Sequence, residues 1–169
     1  MEKYIIDLKD NRACELSISG GKGANLAKLH NIPGIPVPDG FIVSAQCYID
    51  FVLSRPGVRK LIVQLQGITV EQTEAISQVS KQIREEIEKF SFPEGITEEI
   101  SEALAKHGYL LPYAVRSSAT AEDLPGASFA GQQDTFLNVI GIKNICRAIV
   151  KCCASLFNER AVAYRIKNG

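Results

Sequence analysis

The stretch that decides the fold of this chain is residues 113–140, YAVRSSATAEDLPGASFAGQQDTFLNVI. Its two ends, Tyr113–Val115 and Phe136–Ile140, are rich in aromatic and β-branched residues, which predicts two strands. Small and polar residues fill the part between them, so the backbone there can approach a ligand closely. Arg116 stands where the first strand ends, and its planar cation suits phosphate. The pattern predicts a flap that closes over a polyphosphate.

A second segment with the same chemical preference is GGKGANLAKL, residues 20–29. It predicts a glycine turn that leads into a helix, with Lys22 on the N-terminal side, where the helix dipole and unpaired N–H groups favour an anion. It is not a Walker A loop, because Leu16 and Gly23 stand where that motif needs a glycine and a Ser or Thr. Taken alone, the segment fits a helix-starting turn with a solvated lysine better than an anion site.

The composition indicates which classes of protein this chain can belong to. The 169 residues suffice for one domain with a core, and the nineteen basic and nineteen acidic residues cancel. That balance argues against a nucleic-acid or membrane-surface binder. The charged N-terminus, MEKYIIDLKD, does not fit a signal peptide, and no apolar run approaches the ~20 residues of a membrane span. Five cysteines without a CxxC pair favour reduced, buried thiols in a cytoplasmic protein.

The remaining hydrophobic pattern predicts a helix-rich α/β fold with a small mixed or antiparallel sheet. Residues 11–19 look like a loop, and Pro56-Gly57 should end the helix that begins near residue 45. Thr69 and Thr97 should cap the next two helices. The predicted strands are 4–8 and 41–44 besides the two above, and the predicted helices are 24–29, 45–53, 70–90, 98–107, 142–157 and 158–167.

Four segments together resemble a known family. GGKGANLAKL, GIPVPDGFIVS, the stretch that starts at Tyr113, and SLFNERAVAYR occur in the order seen in the N-terminal nucleotide-binding domain of phosphoenolpyruvate synthases. Those enzymes are relatives of pyruvate phosphate dikinase and of the rifampin phosphotransferases. The resemblance covers nearly the whole chain, except roughly residues 54–105. It implies one domain over 1–169, the first part of an ATP-grasp-like fold, with a helical insert at about 54–108.

The resemblance also implies a reaction and a set of site residues. The family binds MgATP and passes its β,γ-pyrophosphoryl group to a histidine on a swivelling domain, from which pyruvate or an antibiotic hydroxyl is phosphorylated. The phosphate-binding lysine and arginine of the family fall on Lys22 and Arg116. The glycine and threonine that line its nucleotide fall on Gly131 and Thr135. The residues that hold magnesium are expected outside this chain, as are the histidine domain and the acceptor site.

Other polar residues have simpler interpretations. His30 and His107 stand near predicted helix ends and do not match the surroundings of a phosphate-carrying histidine, so we expect them to interact with helix dipoles. Glu122–Asp123 could meet a metal, but a solvated loop tip is favoured. Ser117–Ser118 lack a His/Asp set and are expected to form the loop or donate hydroxyl hydrogen bonds.

Three functions stay open at this point. The chain could be the ATP-binding portion of a phosphoenolpyruvate synthase-like enzyme, of a rifampin-type phosphotransferase, or of a module that binds nucleotide or a partner without catalysis. By itself the chain should bind nucleotide weakly and turn over nothing. Without a second lobe, the loop 117–133 is expected to be mobile or to follow another path.

Overall fold

The computed structural model describes residues 4–119 and 134–168, and it contains seven α-helices and four short strands over those residues. The strands are β1 (Ile5–Asp7), β2 (Phe41–Val43), β3 (Tyr113–Arg116) and β4 (Thr135–Val139). The helices are α1 (Leu16–His30), α2 (Ala45–Tyr48), α3 (Pro56–Gln66), α4 (Thr73–Glu88), α5 (Glu94–His107), α6 (Ile142–Ser155) and α7 (Glu159–Asn168). A π-helical turn, Ile49–Leu53, extends α2. Within these residues, no helix has both the length and the apolar character that a bilayer span needs.

Both sheets are two-stranded and antiparallel. Strand β1 pairs with β2, with Ile5 opposite Val43. Strand β3 pairs with β4, with Arg116 opposite Thr135, and its register shifts between Tyr113 and Val115. The predicted class, a helix-rich α/β fold with a small antiparallel sheet, is confirmed.

Helix α6 lies between two apolar clusters and joins them. On one side, Ile145 packs in a cluster with Leu104 of α5, and Val115 of β3 borders that cluster. On another side, Val150 packs with Ile83 of α4. Fully burying an aliphatic side chain of this size stabilises a fold by roughly 1.5–3 kcal/mol. Because α6 packs into both clusters, its position is fixed, and it supports the β3–β4 sheet.

The prediction that residues 11–19 form a loop is wrong. Asn11–Cys14 form a 3-10 turn, which Asp10 caps by accepting from the Arg12 amide at 2.9 Å, and α1 already begins at Leu16. The local sequence hides this helix because its first turn has only a weak apolar face. Leu16 itself is 48% exposed.

Pro56-Gly57 begins α3 instead of ending the preceding helix, which corrects a second prediction. Proline suits the first helical position because its φ is preset and the N–H it lacks would have no partner inside the helix. The preceding residue, Arg55, has the extended conformation, with φ −63° and ψ 130°, so the chain turns there between two helices.

The two predicted threonine caps are also displaced. The Thr69 amide donates to Gln72 Oε1 at 2.9 Å, but α4 begins only at Thr73, so Thr69 lies outside the helix. Helix α5 begins at Glu94, and the Thr97 hydroxyl donates to the Pro93 carbonyl at 3.2 Å from within the helix. Gly108 ends α5 as predicted, with φ 112°.

Candidate functional site

Gly20 divides helix α1 and sets the position of Lys22. Its φ of 66° and ψ of 177° interrupt the helical path, so a new helical segment starts at Gly21. Lys22 is the second residue of that segment, and its side chain is partly buried. A cation in the first turn of a helix meets the positive end of the helix dipole, an arrangement that a bound anion would relieve.

The segment 117–119, which follows β3, lies directly against this turn. Ser118 Oγ accepts a hydrogen bond of 2.9 Å from the Gly23 amide, and the Ala119 carbonyl accepts one of 3.0 Å from the Gly21 amide. Two of the helix-starting N–H groups that the sequence suggested for an anion are therefore bonded to the protein itself. The cationic side chains are left as the groups that can attract phosphate here.

This contact requires glycine at position 20. A Cβ atom on Gly20 would lie 2.3 Å from the Ser118 carbonyl oxygen and 2.5 Å from its Oγ, distances that no real Cβ contact tolerates. The positive φ of Gly20 is a second reason, because side chains disfavour that region. The first glycine of GGKG thus serves the packing of two segments.

Arg116 and Thr135 face each other across the β3–β4 sheet. They are register partners, and directly opposed residues of an antiparallel pair project from the same face, with Cβ atoms ~4.5–5.5 Å apart. Both residues are exposed. The strand pairing therefore brings two of the predicted nucleotide-binding residues together on the open face of the sheet.

The thiol of Cys152 lies beneath this end of the sheet, where it contacts β3 and the residue before β4, and Lys22 influences its pKa. The residue is 5% exposed, and its Sγ lies 3.7 Å from the Val115 carbonyl oxygen and 3.9 Å from that of Asp134. The pKa of the Cys152 thiol is raised to about 12, mainly by burial and also by the Asp134 charge, while the Lys22 ammonium acts to lower it.

Val115 and Asp134 immediately precede Arg116 and Thr135 in the sequence. The Cys152 thiol thus lies beside the backbone next to both of those residues. The turn that carries Lys22 is hydrogen-bonded to the segment that follows Arg116, and Arg116 and Thr135 are strand partners, so the three residues lie on segments in direct contact. This arrangement of two cations and a hydroxyl suits a phosphate-bearing ligand.

Sequence reasoning missed the groups that support the site from α6. Ser155 is 1% exposed, and its Oγ accepts from the Asp134 amide at 3.3 Å and donates to the Cys152 carbonyl at 2.8 Å. It thereby ties the beginning of β4 to the helix. A serine inside an apolar helix carries no local sign of such a role, so only the structure identifies it.

Some predicted residues fall outside the described part of the chain, and others lie at helix ends. Gly131 and Glu122–Asp123 are outside the described residues, as is the predicted loop from residue 120 onward. His30 and His107 occupy the last turns of α1 and α5, as predicted. The Nε2 atom of His30 lies 2.9 Å from Asp39 Oδ1, and that of His107 lies 3.2 Å from Asp7 Oδ2. In residues 4–119 and 134–168, no three His, Cys, Asp or Glu side chains are arranged to hold a metal ion.

Comparison with known proteins identifies a family that this chain resembles over most of its length. A family model described as the pyruvate phosphate dikinase AMP/ATP-binding domain matches residues 16–169. The rifampicin phosphotransferase of Bacillus cereus is 47% identical over 169 residues, which cover 100% of this chain and 20% of that protein. The rifampicin phosphotransferase of Streptomyces sviceus is 46% identical over 168 residues, covering 99% of this chain and 19% of that protein.

A phosphoenolpyruvate synthase is similar over the same region. The enzyme of Pseudomonas aeruginosa is 42% identical over 176 residues, which cover 100% of this chain and 22% of that protein. The chain thus spans about a fifth of the length of these relatives.

Proposed function

Because this chain belongs to the pyruvate phosphate dikinase AMP/ATP-binding domain family, we propose that it is the ATP-binding portion of a phosphotransferase. Lys22 and Arg116 hold the phosphates, and Gly131 and Thr135 line the nucleotide. The observation that carries the proposal is the pair of hydrogen bonds between the GGKG turn and segment 117–119. Those bonds keep the lysine and the arginine on segments that touch.

The two cations have different tasks. Lys22 supplies a compact point charge on a flexible stem, whereas Arg116 supplies a planar fork that can bind two phosphate oxygens at once. Phosphoryl transfer asks little covalent chemistry of the protein, so positioning and charge neutralisation are the main contributions. The exposed face that carries Arg116 and Thr135 leaves room for the ligand.

The proposed reaction transfers the β,γ-pyrophosphoryl group of ATP to a histidine on another domain. The histidine nitrogen attacks the β-phosphorus, the bond from that phosphorus to the oxygen bridging to the α-phosphate breaks, and AMP leaves. Water then attacks the γ-phosphorus, the β–γ bridging bond breaks and inorganic phosphate leaves, and the phosphoryl group that stays on the histidine passes to the oxygen of pyruvate. The magnesium ligands, the rest of the ATP-grasp-like fold and the carrier histidine lie beyond this chain, and the cytoplasm is its proposed location.

A second acceptor stays open. Two rifampicin phosphotransferases are 46% and 47% identical to this chain, and a probable phosphoenolpyruvate synthase is also 46% identical, so identity does not separate the two classes. The acceptor pocket lies outside this region, so rifampicin stays an alternative to pyruvate. An assay of the full-length protein with each acceptor separates them, because only the true acceptor should become phosphorylated as AMP accumulates.

The decisive experiment measures AMP release from ATP by the full-length protein. Lys22→Ala and Arg116→Ala should each abolish it while leaving the fold intact, as circular dichroism would show, because both side chains act on the ligand. Lys60→Ala, which removes an exposed cation from α3, is the matched control and should keep wild-type turnover. Wild-type turnover in either site variant would refute the assignment. The 169-residue chain alone should release no AMP.

A further inference from the structure

Ser118 caps a helical segment through an amide that lies ninety-five residues earlier in the chain. Its Oγ accepts from the Gly23 amide at 2.9 Å, the third N–H of the segment that starts after Gly20. A helix usually receives this oxygen from a Ser, Thr, Asp or Asn in its own N-cap position. Here the N-cap position is Gly20, which has no side chain. The cap is therefore supplied from the segment that follows β3.

The two segments are shaped for this contact. Gly20 takes a φ of 66° and has no room for a Cβ beside Ser118, and Gly21, Gly23 and Ser117 are all buried. The second bond, from the Gly21 amide to the Ala119 carbonyl at 3.0 Å, runs beside the first. Separating the segments would leave buried polar backbone groups without partners, which costs ~1–3 kcal/mol for each group.

Two roles for such a contact can be distinguished. Ser118 could block a helix N-terminus that phosphate would otherwise occupy, or it could hold the lysine segment in place. Blocking requires a contact that separates easily when the ligand arrives. Gly20 is buried and leaves no room for a Cβ beside Ser118, so the two segments fit too closely for an easily separated contact, and the geometry favours holding.

We propose that Ser118 is a positioning residue, which fixes the Lys22 turn to the segment of Arg116 and so sets the separation of the two cations. Arg116 stands two residues before Ser118, and Lys22 stands one residue before the capped amide of Gly23. One hydroxyl therefore connects both cation-bearing segments. This inference rests on the proposed function, in which those cations bind ATP.

The test uses Ser118→Ala in the full-length protein, with calorimetric titration of ATP and hydrogen exchange at the Gly23 amide. Loss of the cap should speed exchange at Gly23 and weaken ATP binding by about five- to tenfold, the change that a cap of ~1 kcal/mol allows. Ser118→Cys keeps the side-chain volume and a weak acceptor, so it should fold and show a smaller loss of affinity.

Ser44→Ala is the matched control. Ser44 is 5% exposed and caps a different helix, α2, by accepting from the Cys47 amide at 3.3 Å. It should lose comparable stability and keep wild-type ATP affinity. Unchanged ATP affinity in both Ser118 variants overturns the positioning role, and tighter binding identifies a blocking role instead. Unchanged affinity in Lys22→Ala and Arg116→Ala removes the proposed function separately, whatever the exchange rate at Gly23.

Discussion

Gly20 and Ser118 approach so closely that a Cβ atom on Gly20 would lie 2.3 Å from the Ser118 carbonyl oxygen. Gly20 also has a φ of 66°, which side chains disfavour. The close steric contact and the backbone conformation thus both require glycine at position 20. They explain why the turn before Lys22 contains a glycine where a serine or aspartate would normally cap the helix.

Gly20→Ala should therefore be strongly destabilising. A positive φ costs an alanine ~1–2 kcal/mol, and moving the Ser118 backbone adds to that, so we expect a total loss of roughly 2–4 kcal/mol in the free energy of unfolding. Gly34→Ala is the control, because Gly34 also has a positive φ, 85°, but nothing within 4 Å of its Cβ position. It should lose only ~1–2 kcal/mol. Urea unfolding measures the loss of stability in each variant. Equal losses would mean that a Cβ atom on residue 20 fits beside Ser118 without further cost.

The sequence predicted the two cation-bearing segments but not how they meet. The glycines of GGKG indicated a turn, and the strand pattern around Arg116 was confirmed. Which glycine needs a positive φ depends on Ser118, a partner far away in the sequence, however, and local pattern carries no information about that partner. Local sequence signals also misplaced the start of α1, since Leu16 is half-exposed and gives little amphipathic contrast.

Two buried serines should respond differently to replacement by alanine. Ser155→Ala leaves the Asp134 amide without its acceptor and should cost about 1–3 kcal/mol. Ser80 is 0% exposed, and its Oγ has no hydrogen-bond partner within the described part of the chain, so Ser80→Ala should be neutral or stabilising. Chemical denaturation of both variants provides the comparison. A loss in Ser80→Ala as large as that in Ser155→Ala would contradict it.

Alkaline pH should destabilise the protein through its buried thiols. Burial raises the pKa of Cys47 and of Cys152 from 9.0 to about 12, so the unfolded chain releases these protons first as pH rises. Their stabilising contribution is complete below pH 9 and declines between pH 9 and 12, by up to about 1.4 kcal/mol per pH unit for each thiol. Urea unfolding at pH 8 and pH 10 measures the loss.

Cys152→Ala is the control for that pH dependence. Whatever stability it loses at pH 8, the further decline between pH 8 and pH 10 should be smaller than in the wild type, because one titrating thiol is gone. If the free energy of unfolding declines equally in wild type and variant between pH 8 and pH 10, the buried thiol of Cys152 does not cause the pH dependence.

Helix boundaries were the least predictable part of the fold. Pro56 was expected to stop a helix and instead starts α3, because proline is equally suited to the first helical position and to a break. The choice depends on Val58, which is 0% exposed in a core that contains Ile83 of α4. Tertiary packing of that kind is not visible in the local sequence.

Arg116 should not be replaceable by lysine. Arg116→Lys keeps the charge but loses the planar fork that can bind two phosphate oxygens at once, so its ATP affinity in the full-length protein should fall between those of wild type and Arg116→Ala. Arg59→Ala removes an exposed cation from α3 and should leave the affinity unchanged. Calorimetric titration at two salt concentrations separates charge from geometry. A general charge effect would weaken with salt and make lysine as good as arginine, whereas paired hydrogen bonds would keep arginine better at both concentrations.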